Sequence, residues 1–318
     1  LRKPRATRHN RRSMTQDEID ARMAEAWQRQ SAGETDAAMA IYRAVLVATN
    51  DGHAGAQLGL GQCHLERREP DLALRHLRAA QALAPQSGAI AHLVDALAGN
   101  TTDRAPDDYL RWVFDGHAET FDRHLAALKY RGPWMIRSLA ERAWQPDGRR
   151  ALLDIGCGTG LNGPLFRPYA RRLDGIDLAP AMLAQAARRM ALGKPAYDRL
   201  AEAEIQQFLE NIPAQVYDAL LSTDVFIYIG RLERFFTQAA RVLTPGGEIL
   251  ATIERGLADM PVQLMPTGRY RQSDAYIAGL AAAHGFQIAD TLEAPLRVEN
   301  GIEEPGRAYR LVLAAGQS

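Results

Sequence analysis

The sequence predicts an α/β fold: a mostly parallel sheet closed by an antiparallel hairpin and preceded by a small all-helical domain. Three observations carry this expectation. Residues 151–160 (ALLDIGCGTG) pass from a short apolar strand through Gly156, Gly158 and Gly160 into a helical pattern, the strand–turn–helix order of α/β ligand sites. Further apolar strands alternate with helical stretches before two closing strands. Residues 15–99 show helical polar–apolar periodicity and no strand-like alternation.

A chain of 318 residues accommodates two domains. Basic and acidic side chains balance at 38 each, but six of the cations fall in residues 1–12, which contain no acid. The rest of the chain therefore carries −6, and a mildly acidic body argues against a broad nucleic-acid-binding face. Residues 1–14 read as a basic disordered segment, with Met14 as a start and the residues before it as an upstream stretch. Cys63 and Cys157 form neither a disulfide framework nor a metal-ligand pattern. No apolar run approaches the ~18 residues of a membrane helix. No signal peptide is visible, so the expectation is a cytoplasmic protein without a metal.

The helical domain, residues 15–99, repeats. Residues 33–42 (GETDAAMAIY) and 68–77 (REPDLALRHL) share a turn, then a small residue, then a large one four positions later; Ala38 and Ala73 are 35 apart. Leu60, Gly61, Ala73, Leu77, Ala80 and Pro85 resemble the tetratricopeptide pattern, a helix pair of about 34 residues. The first copy departs from it at Asn50, where the pattern has proline. About two repeats are present, and residues 89–98 read as a capping helix. Partner or substrate binding and a structural buttress are both open readings of this domain.

Residues 100–107 (NTTDRAPD) form a polar break, read as the linker to a second domain over 108–318. That domain opens on an aromatic helical stretch with Tyr109, Trp112, Phe114, His117, Phe121 and, further on, Tyr130. Packing onto the sheet explains Tyr109 and Trp112. Phe114, Phe121 and Tyr130 suit pocket lining equally well.

The glycine turn 156–160 brings backbone close to a ligand and points N–H groups at it. Its spacing is Gly-x-Gly-x-Gly with Asp154 two residues ahead, not the Gly-x-Gly-x-x-Gly of dinucleotide folds. DIGCGTG resembles motif I of the class I S-adenosylmethionine-dependent methyltransferases. That resemblance implies a Rossmann-like domain with a seven-stranded sheet and S-adenosyl-L-methionine as cofactor. It also implies a cofactor contact for Asp154, whose charge suits an ammonium, and for Gly156, Cys157, Gly158 and Gly160. Residues 114–133 (FDGHAETFDRHLAALKYRGP) resemble the entry segment of a bacterial group of these enzymes that carries tetratricopeptide repeats ahead of the catalytic domain.

Later segments continue the resemblance. Residues 175–183 (GIDLAPAML) are similar to the second motif, with Asp177 ending a strand and able to accept both ribose hydroxyls; Leu178 and Met182 follow it. A third strand near residues 196–203 leads to Glu204 and Ile205, expected to meet the adenine, with Glu202 as the second choice. Residues 218–225 (DALLSTDV) form a buried strand whose end, Ser222, Thr223 and Asp224, faces the methionine moiety or the acceptor. Tyr228 lies on the apolar wall that follows. Residues 241–250 (RVLTPGGEIL) resemble the turn and fifth strand of the family. The stretch 254–270 shows no clear periodicity and is expected to cover the acceptor site, and 296–306 (LRVENGIEEPG) reads as the tip of the closing hairpin.

Methyl transfer is an in-line displacement that needs alignment and exclusion of water. An oxygen or nitrogen acceptor can also require proton removal, for which Asp224 and His117 are the candidates; a carboxylate acceptor needs no base. The Asn-Pro-Pro-aromatic signature of amino-group methyltransferases is absent after the fourth strand, which disfavours nucleic-acid bases and protein amides. The expected acceptor is a small or carrier-bound molecule. A protein docked by the repeats and a non-catalytic nucleotide-binding protein are the alternatives.

Overall fold

A computed structural model describes residues 14–115, 118–299 and 301–315. The basic residues 1–13 lie outside them. The chain divides into two compact units, Leu1–Ala98 and Gly99–Ser318.

The described residues of the first unit form five helices: α1 (Gln16–Ser31), α2 (Thr35–Thr49), α3 (Ala54–Glu66), α4 (Pro70–Leu83) and α5 (Gly88–Ala98). Thr15 starts α1 with a capping box: its side chain accepts from the Glu18 N–H and the Glu18 carboxylate accepts from the Thr15 N–H. Pro70 occupies the first turn of α4, where no N–H is needed. The small-then-large grammar is a packing device. Ala38 and Ala73 are fully buried, and the rings and branches they admit press on glycines of α3. A Cβ at Gly59 would lie 2.4 Å from the Tyr42 ring, and one at Gly61 would lie 2.8 Å from Leu77 Cγ.

The second unit begins with α6 (Asp107–Asp115), α7 (Phe121–Ala127) and α8 (Gly132–Glu141). Then follow β1 (Arg150–Ile155), α9 (Asn162–Phe166), β2 (Ala170–Asp177), α10 (Pro180–Ala186), a small hairpin of β3 (Met190–Ala191) and β4 (Lys194–Pro195), and β5 (Arg199–Glu202). After α11 (Ile205–Asn211) come β6 (Tyr217–Ser222), α12 (Glu233–Val242), β7 (Leu243–Glu254), β8 (Val262–Leu264) and β9 (Tyr270–Gln272). The chain closes with α13 (Asp274–Ala283), β10 (Phe286–Glu299) and β11 (Ile302–Leu313).

Seven strands form one sheet in the order β10-β11-β7-β6-β1-β2-β5. The pairs β7–β6, β6–β1, β1–β2 and β2–β5 are parallel, and β11 runs antiparallel to both its neighbours. Along β1, Leu153 and Ile155 pack into the cluster with Phe235 and Phe236 of α12, while Leu152 packs with Met135 and Leu139 of α8. Alternate residues thus bury both faces of the sheet under helices. The strand order reverses between β1 and β6, so a crevice opens at their carboxyl ends.

Three expectations change in shape. The closing hairpin is paired from Phe286↔Leu313 out to Glu299↔Ile302, so most of the residues read as its tip, 296–299 and 302–306, are strand. The turn-like prolines Pro295 and Pro305 face each other at a register shift, and Pro295 is tolerated because β10 is an edge. The stretch 254–270 leads into a second hairpin, β8–β9. The linker residues are bound into the second unit: Ala105 N–H donates to the Tyr228 carbonyl at 2.9 Å, and Thr101 Oγ1 accepts from Leu264 N–H at 3.2 Å. No helix among the described residues is long and apolar enough to cross a membrane.

Candidate cofactor and acceptor site

The glycine turn leaves β1 with all three glycines at positive φ: 62° at Gly156, 54° at Gly158 and 81° at Gly160. Their surroundings differ. A Cβ at Gly156 would meet Val225 Cγ2 at 2.5 Å and one at Gly160 would meet Ala186 at 3.0 Å, whereas nothing lies within 4 Å of one at Gly158. Gly156 and Gly160 serve packing; Gly158 borders open space. Cys157 is buried, its N–H donates to the Ile176 carbonyl at 2.9 Å, and burial pushes its thiol well above the usual range.

Asp177 ends β2 and binds the turn. Its Oδ2 accepts from Gly158 N–H at 2.8 Å and its Oδ1 from Ala179 N–H at 2.9 Å, so it also fixes the start of α10. Leu178 beside it is half-buried.

Asp154 stands behind the turn. It is fully buried; Oδ1 accepts from Asn162 Nδ2 at 2.9 Å and Oδ2 from the Tyr197 hydroxyl at 2.6 Å. Burial pushes this carboxyl up to about 7, against the pull of those two bonds. Both oxygens thus have protein partners, Asn162 after the turn and Tyr197 ahead of β5. Asn162 also donates to Thr223 Oγ1 at 3.1 Å, which ties the turn after β1 to the end of β6.

Glu204 stands just ahead of α11. It caps α11, accepting from Gln207 N–H at 2.8 Å, and pairs with Arg104 at 3.4 Å. Glu202, the second choice, sits in register beside Asp177 at the strand ends and is paired with Arg111 at 3.1 Å. Ile205 is half-buried against the core beneath them. Met182 is fully buried in a cluster with Ala118 and Ala179, under Phe114 and Phe121, so it supports the covering segment.

That segment, α6 and α7, is clasped to the turn. Thr159 Oγ1 donates to Asp122 Oδ1 at 2.5 Å, while Arg189 bonds the other Asp122 oxygen and the Thr159 carbonyl. Phe114 stands edge-on to Phe121 at 6.0 Å and to Tyr228 at 5.4 Å. His117 lies outside the described residues.

At the end of β6, Ser222 Oγ is buried without a protein partner. Asp224 follows in the left-handed region, φ 56°, its N–H donating to Thr252 Oγ1 at 3.0 Å. Its Oδ2 accepts from Arg297 Nη1 at 2.9 Å; its Oδ1 is buried without a partner. Burial raises the Asp224 carboxyl, and Arg297 opposes the rise. Tyr130 shares a hydrogen bond with Thr223 and is held well above its ordinary range by burial and by Asp224.

Arg297 was not foreseen. It is 2% exposed and also binds Glu254 and Glu299, where Arg269 joins it. Tyr197 and Asn162 were likewise missed. Asn162 follows the glycine motif directly, a position that could have flagged it; Tyr197 carries no local signal. Among the described residues no three His, Cys, Asp or Glu side chains group as metal ligands.

A strand-end carboxylate, an open glycine turn and a partnerless serine at one crevice define a nucleoside-binding site of Rossmann type. Residues 153–251 match the family model for a methyltransferase domain, and residues 30–97 match a tetratricopeptide repeat. An uncharacterized methyltransferase of Bacillus subtilis, YdaC, is 33% identical over 132 residues, spanning 41% of this chain and 70% of that one. A probable S-adenosylmethionine-dependent methyltransferase of Mycolicibacterium smegmatis is 26% identical over 178 residues; the match spans 54% of this chain and 66% of that protein. The crystal structure of Burkholderia thailandensis 1,6-didemethyltoxoflavin-N1-methyltransferase has the same fold, with a TM-score of 0.52, 15% identity, and 68% and 93% of the two chains covered. The chain belongs to the S-adenosylmethionine-dependent methyltransferases. Its cofactor is S-adenosylmethionine, and the residues fit that group: the backbone at Gly158 is uncovered, and Ser222 Oγ and Asn162 Oδ1 are buried polar atoms without protein partners.

Proposed function

We propose that the chain transfers a methyl group to an oxygen or nitrogen of a small or carrier-bound acceptor, with Asp224 removing the acceptor's proton. The observation that carries this reading is Asp224 Oδ1, a buried carboxylate oxygen without a protein partner at the carboxyl end of β6. In this reading Asp177 and the N–H groups of the glycine turn hold the cofactor, with Leu178 and Ile205 against the nucleoside and Ser222 at its amino-acid end. When bound, S-adenosylmethionine supplies both the activated methyl group and its leaving group.

The residues of the chain then have three tasks. Phe114, Phe121 and Tyr228 exclude water and align the acceptor, which accounts for much of the acceleration in a displacement of this kind. Tyr130 borders the acceptor through its bond to Thr223. Asp224 takes the proton; a carboxyl raised by burial is a better base than a solvated one. The tetratricopeptide match supports a protein-binding role for the first unit.

A screen of amine, hydroxyl and carboxylate compounds with radiolabelled methyl donor tests this reading. Asp224→Asn should lose transfer by about 100-fold, the usual scale of a general base. Equal rates for wild type and variant would remove Asp224 from the chemistry.

A further inference from the structure

At the mouth of β6 three carboxylates meet two guanidiniums. Arg297 binds Asp224, Glu254 and Glu299 with its three nitrogens. Arg269 pairs with Glu254 at 3.0 Å and with Glu299. Arg271 and Glu304 add one cation and one anion as a further pair, so the cluster is one negative charge in excess.

Neither guanidinium can turn to an incoming anion cheaply. Arg297 is 2% exposed and Glu254 is 1% exposed, so withdrawing Arg297 would take from a buried carboxylate one of the three guanidiniums, with Arg269 and Arg271, that surround it. The excess charge is left at Asp224 Oδ1, the buried oxygen that Arg297 does not bind and that has no protein partner. Tyr130 hydrogen-bonds Thr223, the residue before Asp224, and Phe114 stands edge-on to Tyr228 at 5.4 Å on the segment that follows. A carboxylate beside aromatic rings favours a cation: the carboxylate supplies a charged hydrogen bond and the rings supply their negative faces. A carboxylate ligand at this place would meet like charge at close range in a poorly solvated site.

We propose that the methyl acceptor is an amine, bound as its ammonium by Asp224 Oδ1 beside Tyr130 and Tyr228, and that anionic acceptors are excluded. This rests on the methyl-transfer reading above and narrows its acceptor to one chemical class. The ammonium of the cofactor's own amino-acid end is the competing occupant of Asp224, so the test is made with that end already in place.

The full chain, saturated with S-adenosylhomocysteine, is titrated calorimetrically with 2-phenylethylamine and with 3-phenylpropionate, which are similar in size and opposite in charge. The amine should bind at least about ten-fold more tightly, one charge interaction in a partly desolvated site. Asp224→Asn keeps a residue that tolerates the left-handed backbone; it should bring the two affinities within about three-fold of each other while S-adenosylhomocysteine binds as in wild type. The inference is overturned if the carboxylate binds as well as the amine or if neither probe binds. It is equally overturned if the substitution weakens S-adenosylhomocysteine instead of the amine. Failure of S-adenosylhomocysteine to bind wild type would overturn the methyl-transfer reading itself, a result distinct from these.

Discussion

Gly158 donates its backbone N–H to the Asp177 carboxylate at 2.8 Å, so the residue that ends β2 also shapes the turn that ends β1. The two positions are 19 residues apart and belong to one device. Asp177 sets the path of the turn, and the turn's glycine at 158 leaves its backbone uncovered, as the proposed nucleoside contact requires.

The glycines of that turn should separate binding from stability. In Gly156→Ala the new methyl is driven into Val225 and the backbone is strained, so the loss of stability should reach about 2–4 kcal/mol. Gly158→Ala carries only the strain, about 1–2 kcal/mol. It should nevertheless weaken S-adenosylhomocysteine more than about ten-fold, because its methyl occupies ligand space. Thermal unfolding and calorimetry of the two variants check the crossover.

Asp154 predicts a pH dependence. Burial raises its folded-state carboxyl to about 7, against about 3.9 in an unfolded chain. Between those values the folded state binds the extra proton, so stability is fully present below the lower value and is lost as pH rises through the upper one. Asp154→Asn can keep both the Asn162 and Tyr197 bonds without the charge. Denaturant unfolding from about pH 4 to pH 7 should show wild type declining relative to this variant by a few kcal/mol, on the order expected for about three units. Parallel curves would show that Asp154 does not titrate in that window.

Arg297 should be essential to the acceptor side of the site. Arg297→Met leaves Glu254 buried without its nearest cation and should cost about 3–5 kcal/mol. Adding Glu254→Gln should recover part of that loss, because the two residues share one network. Additive losses in chemical denaturation would contradict the coupling.

In the repeat unit, Gly59→Ala drives a methyl into the Tyr42 ring, which is 2% exposed. Overpacking of this kind costs about 1–3 kcal/mol, which a lowered melting temperature of the full chain should report.

Much of the fold was legible because it is written locally. Strand β1, the glycines and the strand-ending Asp177 are contiguous signals, and the small–large spacing of Ala38 with Tyr42 and of Ala73 with Leu77 reports helix packing directly. Side chains whose partners lie far along the chain were not legible. Arg297 sits 73 residues from Asp224, inside a stretch that reads as turn chemistry although β10 runs on to Glu299 and β11 begins at Ile302. Tyr197 meets Asp154 across 43 residues. Glu204 shows a role that local sequence could have signalled: an acid just ahead of a helix is a natural cap, and it caps α11.

The most direct test of the cofactor site is calorimetric titration of wild type and Asp177→Ala with S-adenosylmethionine, S-adenosylhomocysteine and NADH. The predicted result is that both sulfur nucleosides bind wild type, NADH does not, and the substitution weakens binding at least about ten-fold by removing the ribose acceptor and the brace on the turn together. Binding of NADH in preference to the sulfur nucleosides, or sulfur-nucleoside affinities unchanged in Asp177→Ala, would contradict the site described here.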